Sequence, residues 1–294
     1  MKGLRLGRRG SRAAPSSSFG DSVFGARAPR AAAASRSAVR FGVAGAVLGL
    51  LGGAVAFAPA AWLAGAVASA TGGRLLLADA RGTVWDGSAT MLLTGGSGSR
   101  DAAALPGRFE WRVGLKGMAL SVGLRQACCL DGEFNLLVRP GLGRVEVSLP
   151  ARPGGFGQWP AAWLSGLGTP WNTLQLGGVM RLSTPGATLE IVQGRWRLEG
   201  GLAADLVGLS SRVSTLETLG SYRLQLQGGA GGGATLALNT ADGALRLSGS
   251  GQWAGPTLRF QGEAVAAQGS EQALDNLLNI LGRRDGARSL IVIG

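Results

Sequence analysis

Residues 108–115 set Phe109, Trp111, Val113 and Leu115 on one side of an extended chain, and Arg108, Glu110 and Arg112 on the other. A two-residue period marks a half-buried strand, because successive β side chains point to opposite faces. The period returns at Leu120, Val122 and Leu124, at Phe134, Leu136 and Val138, and at Val145, Val147 and Leu149. It continues through Leu189 and Ile191, Trp196 and Leu198, and Tyr222, Leu224 and Leu226. Leu236 and Leu238, Leu245 and Leu247, and Leu258 and Phe260 complete the series. Asp131-Gly132, Pro140-Gly141, Pro185-Gly186 and Ala241-Asp242-Gly243 supply turn signals between them. One apolar and one polar face per strand is the pattern of antiparallel sheet. The chain is therefore predicted to be mainly β, an antiparallel multi-strand meander built as a curved sheet, a sandwich or a trough. Two short helices interrupt it. One covers residues 158–167 and enters at Pro160; the other covers residues 271–281, with Leu274, Leu277, Leu278 and Leu281 at helical spacing.

A different pattern precedes the strands. Residues 41–68 form one apolar run, and residues 41–63 carry no charge. About 20 apolar residues cross a bilayer, so a transmembrane helix is predicted over 37–58, ending before Pro59. Residues 1–40 hold nine Lys and Arg against Asp21 alone, a net +8 of the chain's +12. By the positive-inside rule the N-terminus is expected to be cytoplasmic and the body periplasmic. The rest of the chain is nearly balanced, which argues against nucleic acid as the reason for the basic composition. The rival to an uncleaved anchor is a signal peptide cut near residues 66–70, but signal cores run only about 7–15 residues. Gly45, Gly49 and Gly53 repeat at G-x-x-x-G spacing, either a face for helix pairing or a product of Ala/Gly-rich composition. Trp62 suits headgroup depth. Residues 1–36 read as a disordered basic extension, and residues 59–294 as the β-rich domain.

Chemistry is sparse. The 294 residues contain no histidine, which removes Ser-His-Asp and Cys-His systems and every histidine metal site. With Lys2 and Lys116 the only lysines, no phosphate-binding Gly-x4-Gly-Lys loop exists. The glycine-rich residues 228–233 read as a hairpin loop. Asp79 and Asp86 flank a turn around Arg81, and capping with an ion pair is the favoured reading over a carboxylate site. Cys128 and Cys129 are adjacent, with one thiol expected inward and one outward; a vicinal disulfide is a further option. No catalytic residue, metal ligand or cofactor site is assigned. Most of the eight tryptophans are expected in the core or at the membrane edge.

Pro59-Ala60-Ala61-Trp62-Leu63 recurs as Pro160-Ala161-Ala162-Trp163-Leu164. Duplication would divide the body into two similar lobes near 150–158; coincidence in an Ala-rich chain is the alternative.

Several motifs together resemble one family. They are the basic-then-apolar start, Pro59-Ala60-Ala61-Trp62-Leu63, and Gly82-Thr83-Val84-Trp85-Asp86-Gly87. The strand at Trp111 follows, then Asp242-Gly243 with Leu245, Leu247 and Gly249, and last Leu281-Gly282-Arg283-Arg284-Asp285-Gly286. Over about residues 40–294 the chain resembles type II secretion system protein N, of the general secretion pathway. The resemblance implies a single-span inner-membrane accessory protein with a periplasmic body. It also implies partners among the other inner-membrane and periplasmic secretion components, extending to the outer-membrane secretin. It brings no catalytic residues. Pro59, Trp62, Gly82, Trp85, Gly87, Gly282 and Gly286 are its structural markers, and Trp85 is expected to carry core packing. The competing reading is an anchored envelope protein that binds or shields lipid. Leu120, Val122, Val145, Val147, Leu224 and Leu226 discriminate: an open groove favours lipid, a sealed core favours assembly.

Overall fold

The computed structural model describes residues 36–229, 233–254 and 257–294. The expected disordered extension at 1–36 lies outside them but for its last residue, as do the central residues of the glycine loop. The chain divides into two units, Met1–Gly52 and Gly53–Gly294.

Helix α1 spans Arg36–Ala56. Its charge-free part, 41–56, is about 24 Å long at 1.5 Å per residue, short of a hydrocarbon core of about 30 Å. Among the described residues no helix is long and apolar enough to cross a membrane. The expected helix to residue 58 stops at Ala56 because Pro59 cannot sit inside it. Pro59 instead opens a second helix, α2 (Ala60–Ala70), with φ −68°.

The body is one antiparallel sheet of 16 strands. Its first half comprises β1 (Leu75–Gly82), β2 (Asp86–Thr94), β3 (Ala102–Ala104), β4 (Phe109–Lys116), β5 (Ala119–Gln126), β6 (Phe134–Gly141), β7 (Arg144–Leu149) and β8 (Arg152–Pro160). A 3-10 helix at Ala161–Leu167 and the one-turn α3 (Trp171–Leu174) follow. The second half comprises β9 (Leu176–Val192), β10 (Arg195–Ser211), β11 (Gly220–Gly228), β12 (Ala234–Gly243), β13 (Leu245–Ala254) and β14 (Thr257–Ala266). Helix α4 (Glu271–Leu281) then leads to β15 (Arg283–Asp285) and β16 (Arg288–Ile293). Strand order follows the chain except that β3 pairs only with β2, β8 pairs only with β9, and β16 lies inside β15. The terminal strands β1 and β15 do not pair, so the sheet is open and not a barrel.

The two-residue period aligns across strands. Val113 lies opposite Val122, and Val122 opposite Leu136; Leu202 lies opposite Leu226, and Leu226 opposite Leu236. Along these rows one face of the sheet is apolar. The largest core forms where α4 covers that face: Leu274, Leu277 and Leu278 are buried against Leu209, Tyr222, Leu245 and Ala264. The amphipathic spacing read in the sequence is the cause, since these leucines share one helix side.

Three local expectations change. The helix predicted from residue 158 begins at Ala161 and is 3-10, because Gln158, Trp159 and Pro160 still pair with β9. Pro185-Gly186 does not end a strand. It sits inside β9, where Gly186 (φ +112°) pairs with Gly201, next to Gly200 (φ +77°), at a break in register with β10. A bulge built on glycines bends a long strand and lets it continue. Cys128 and Cys129 are bonded to each other in the turn after β5, so neither thiol is free. Their burial still divides as expected: Cys129 packs with Leu105 and Trp159, and Cys128 is exposed.

Candidate functional site

The segment Gly82-Thr83-Val84-Trp85-Asp86-Gly87 joins β1 to β2. Gly82 adopts φ +87°, a left-handed conformation that costs other residues energy. Thr83 Oγ1 accepts the amide hydrogens of Trp85 and Asp86 at 3.2 and 3.1 Å, and Thr83 N donates to Asp86 O at 2.8 Å. This is a threonine-stabilised turn. Gly87 is required by close approach: a Cβ there would stand 2.6 Å from Cζ2 of Trp111 and 2.7 Å from the Arg81 carbonyl.

Trp111 is the residue around which the turn is wrapped. It is 3% exposed, pairs with Gly87 across β2 and β4, and its Nε1 donates to the carbonyls of Thr83 and Val84 at 3.2 and 3.1 Å. A buried indole N–H needs such a partner. Trp85, expected in the core, is half-buried, and its Nε1 donates to Val55 O at 2.8 Å. Val84 N donates to Ala58 O at 2.9 Å, and Pro59 bridges to Thr83. The turn thus grips the chain where it enters the body. Ala60 is buried with Ala89 and Trp111, while Trp62 is exposed. In the second copy of that motif Ala161 is also buried, and Trp163 Nε1 donates to Ala103 O at 3.0 Å.

The aspartates do not face each other as a catalytic pair. Asp79 binds Arg81 and Arg108, each at 2.8 Å, and Asp86 binds Arg112 at 3.0 Å. The Arg81 guanidinium, then that of Arg108, holds the Asp79 carboxyl below the usual carboxylate range. Arg125 does the same to Glu133. Arg81, Asp86, Arg112, Arg125 and Glu133 border a cleft of about 380 Å³ that is lined also by Gly87, Trp111 and Gly123. Sequence reasoning recognised the turn but not this cleft, since it forms from residues of β1, β2, β4, β5 and the turn before β6. Among the described residues no group of three His, Cys, Asp or Glu is placed to hold a metal ion.

The remaining markers lie elsewhere. Gly282 ends α4, where a Cβ would collide with the Leu290 carbonyl; Gly286 (φ +62°) turns β15 into β16. Arg284 from the same motif binds Asp275 of α4 at 2.9 Å. The C-terminal motif therefore docks a helix onto the last hairpin. Among the described residues, Gly45, Gly49 and Gly53 on α1 have nothing within 4 Å of where a Cβ would stand.

Nothing among curated proteins or solved structures matches the chain. The family model described as type II secretion system (T2SS), protein N matches residues 73–291, which includes the Gly82–Gly87 turn, Trp111, the apolar sheet face and the C-terminal helix-hairpin unit. On that match, which covers about three quarters of its length, the chain belongs to the type II secretion system protein N family.

Proposed function

We propose that this protein is an accessory assembly component of the type II secretion machinery, anchored in the bacterial inner membrane and acting through its β body by protein–protein contacts. The family match carries this reading, because it falls on the β body itself. Residues 37–58 form the anchor. The exposure of Phe41, Leu48 and Leu50 along α1 supports a hydrocarbon surrounding. The body is periplasmic, and Trp62 sits at the headgroups. The partners are other inner-membrane and periplasmic components of the system, extending to the outer-membrane secretin. The cleft beside Trp111 offers them a charged, shaped surface. The open glycine face at Gly45, Gly49 and Gly53 supports helix pairing within the membrane.

The test is photo-crosslinking in cells from Glu110 and Arg125 at the cleft, combined with deletion of the gene. Crosslinks to secretion components and accumulation of unexported substrate in the periplasm are expected. Normal export in the deletion strain, with no crosslink to any component, would refute the assignment.

One observation favours the lipid reading as a second function. None of Leu120, Val122, Val147, Leu224 and Leu226 is fully buried, and Val145 is 38% exposed. Phospholipid retained stoichiometrically by the purified chain, and lost from Val122→Asp with Leu224→Asp, would establish it.

A further inference from the structure

Antiparallel order places every connection of the sheet at one of two ends. The 3-10 helix, α3 and the loop from β10 to β11 lie at one end. The hairpins β4–β5, β6–β7 and β9–β10 lie at the other, on neighbouring positions of the sheet. Each hairpin closes with two residues: Gly117-Met118, Leu142-Gly143 and Gln193-Gly194. Such turns need a positive φ, which Gly117, Gly143 and Gly194 provide, and they otherwise favour polar residues. Here the companion residues of the first two are Met118, 98% exposed, and Leu142, fully exposed, while the third is the polar Gln193. Leu115 at 82%, Val145, Ile191 and Val192 add exposed apolar surface around them. With strands about 4.8 Å apart, successive tips stand about 10 Å from each other, so these side chains form one edge and not scattered singles.

The same edge is basic. Across residues 114–121, 139–146 and 190–197 the cations are Lys116, Arg139, Arg144, Arg195 and Arg197, against Glu146 and Glu190, a net charge of +3. Arg139 and Arg144 are paired with those two carboxylates, which leaves Lys116, Arg195 and Arg197 as the surplus. A shallow hollow of about 350 Å³ between the first two tips is walled by Met118, Ala119, Leu137 and Pro140, with Lys116 and Arg139 at its rim. Exposed aliphatic tips ringed by cations match the interface of an anionic bilayer, where apolar groups enter the acyl boundary and cations meet headgroup phosphates. The chain also enters the body at this end. Pro59 bridges to Thr83, and Asp86 pairs with Arg112, four residues before the tip residue Lys116.

We infer that the tips of β4–β5, β6–β7 and β9–β10 are a membrane-contact edge that seats the β body on the anionic lipid surface beside its own point of entry. The inference rests on the proposed anchoring for its geometry and is independent of the secretion role. It is tested on the full chain reconstituted in vesicles of phosphatidylethanolamine and phosphatidylglycerol. An environment-sensitive fluorophore is attached at M118C, L142C or, at the opposite end, T218C, the native cysteines being bonded to each other. A blue-shifted emission quenched by brominated lipid is expected at 118 and 142 and not at 218. K116E with R195E should lower the quenched fraction, about fivefold for each cation lost. Carbonate extraction reads the anchor separately. Should the chain not insert, the same probes read docking onto added vesicles. Water-like emission at all three positions, with the chain inserted or with vesicles added, overturns the inference.

Discussion

Replacing Trp111 by alanine should destabilise the body more than any comparable change at Trp85. A buried indole removes about 150–250 Å² from water, worth about 4–6 kcal/mol at about 25 cal/mol per Å². Measured costs of Trp→Ala in cores run about 3–5 kcal/mol. Trp111 is nearly inaccessible and also donates to the Thr83 and Val84 carbonyls. Its loss leaves those carbonyls short of a donor, so a cost of about 4–5 kcal/mol follows. Trp111→Phe keeps most of the apolar area and loses the donor, for about 1–2 kcal/mol. Trp85 is half-buried and makes one hydrogen bond, so Trp85→Ala should cost about 1–2 kcal/mol. Urea unfolding of the three variants in detergent, read from midpoints at constant slope, gives the order directly. If Trp85→Ala matches or exceeds Trp111→Ala, the turn is not organised around Trp111 and the packing argument fails.

Gly87→Ala places a methyl against the Trp111 ring and two carbonyls, and overpacking of this kind costs about 1–3 kcal/mol; a thermal melt unchanged from wild type would contradict it. Burial raises the Tyr222 phenol above the ordinary tyrosine range near pH 10, and its hydroxyl donates to Leu245 O at 2.8 Å. The folded state therefore holds this proton more tightly than the unfolded chain. That stabilisation is complete below about pH 10 and is lost as pH rises through the raised value, so Tyr222→Phe should flatten the alkaline limb of the stability profile. Hydrogen bonding to Arg139 depresses the Glu146 carboxyl, as Arg81 depresses Asp79 and Arg125 depresses Glu133. Their contribution is present above the ordinary carboxylate range and disappears as pH falls through the depressed values. Glu146→Gln should make acid unfolding shallower, and an unchanged acid limb would remove Glu146 from the account.

Much of the fold was readable because β structure writes its period into sequence. Phe109 to Leu115 and Val145 to Leu149 became strands, and from Phe109 to Val113 the burial alternates as the sequence implies, while Leu115 and Val145 lie exposed near the hairpin tips. Helix α4 was readable for the same reason at a period of 3.6. What escaped was decided by partners distant in the chain. Pro185-Gly186 has the chemistry of a turn, and only pairing with Gly201 on β10 makes it a bend inside a strand. Gln158 to Pro160 have helix-entry chemistry and are held extended by Val179 to Arg181. Trp85 and Trp111 look equally suited to a core, and the choice depends on Gly87 leaving room beside Trp111 and not beside Trp85. The cluster of exposed hairpin tips needed topology, since Met118, Leu142 and Val192 are neighbours only once the sheet order is known.

Strand order that follows chain order has a consequence for how the molecule is made. From β4 to β7 and from β9 to β14 each new strand adds to the edge left by its predecessor. A chain delivered N-terminus first seldom has to hold a strand waiting for a partner not yet synthesised, the exceptions being the short excursion through β8 to α3 and the three-residue β15, whose partner is the later β16. Assembly can keep pace with delivery, and at each moment a single growing edge is at risk of pairing wrongly. The last hairpin, β15–β16, with α4 laid over Tyr222 and Leu245, then closes the process by covering the final edge and the largest apolar area together.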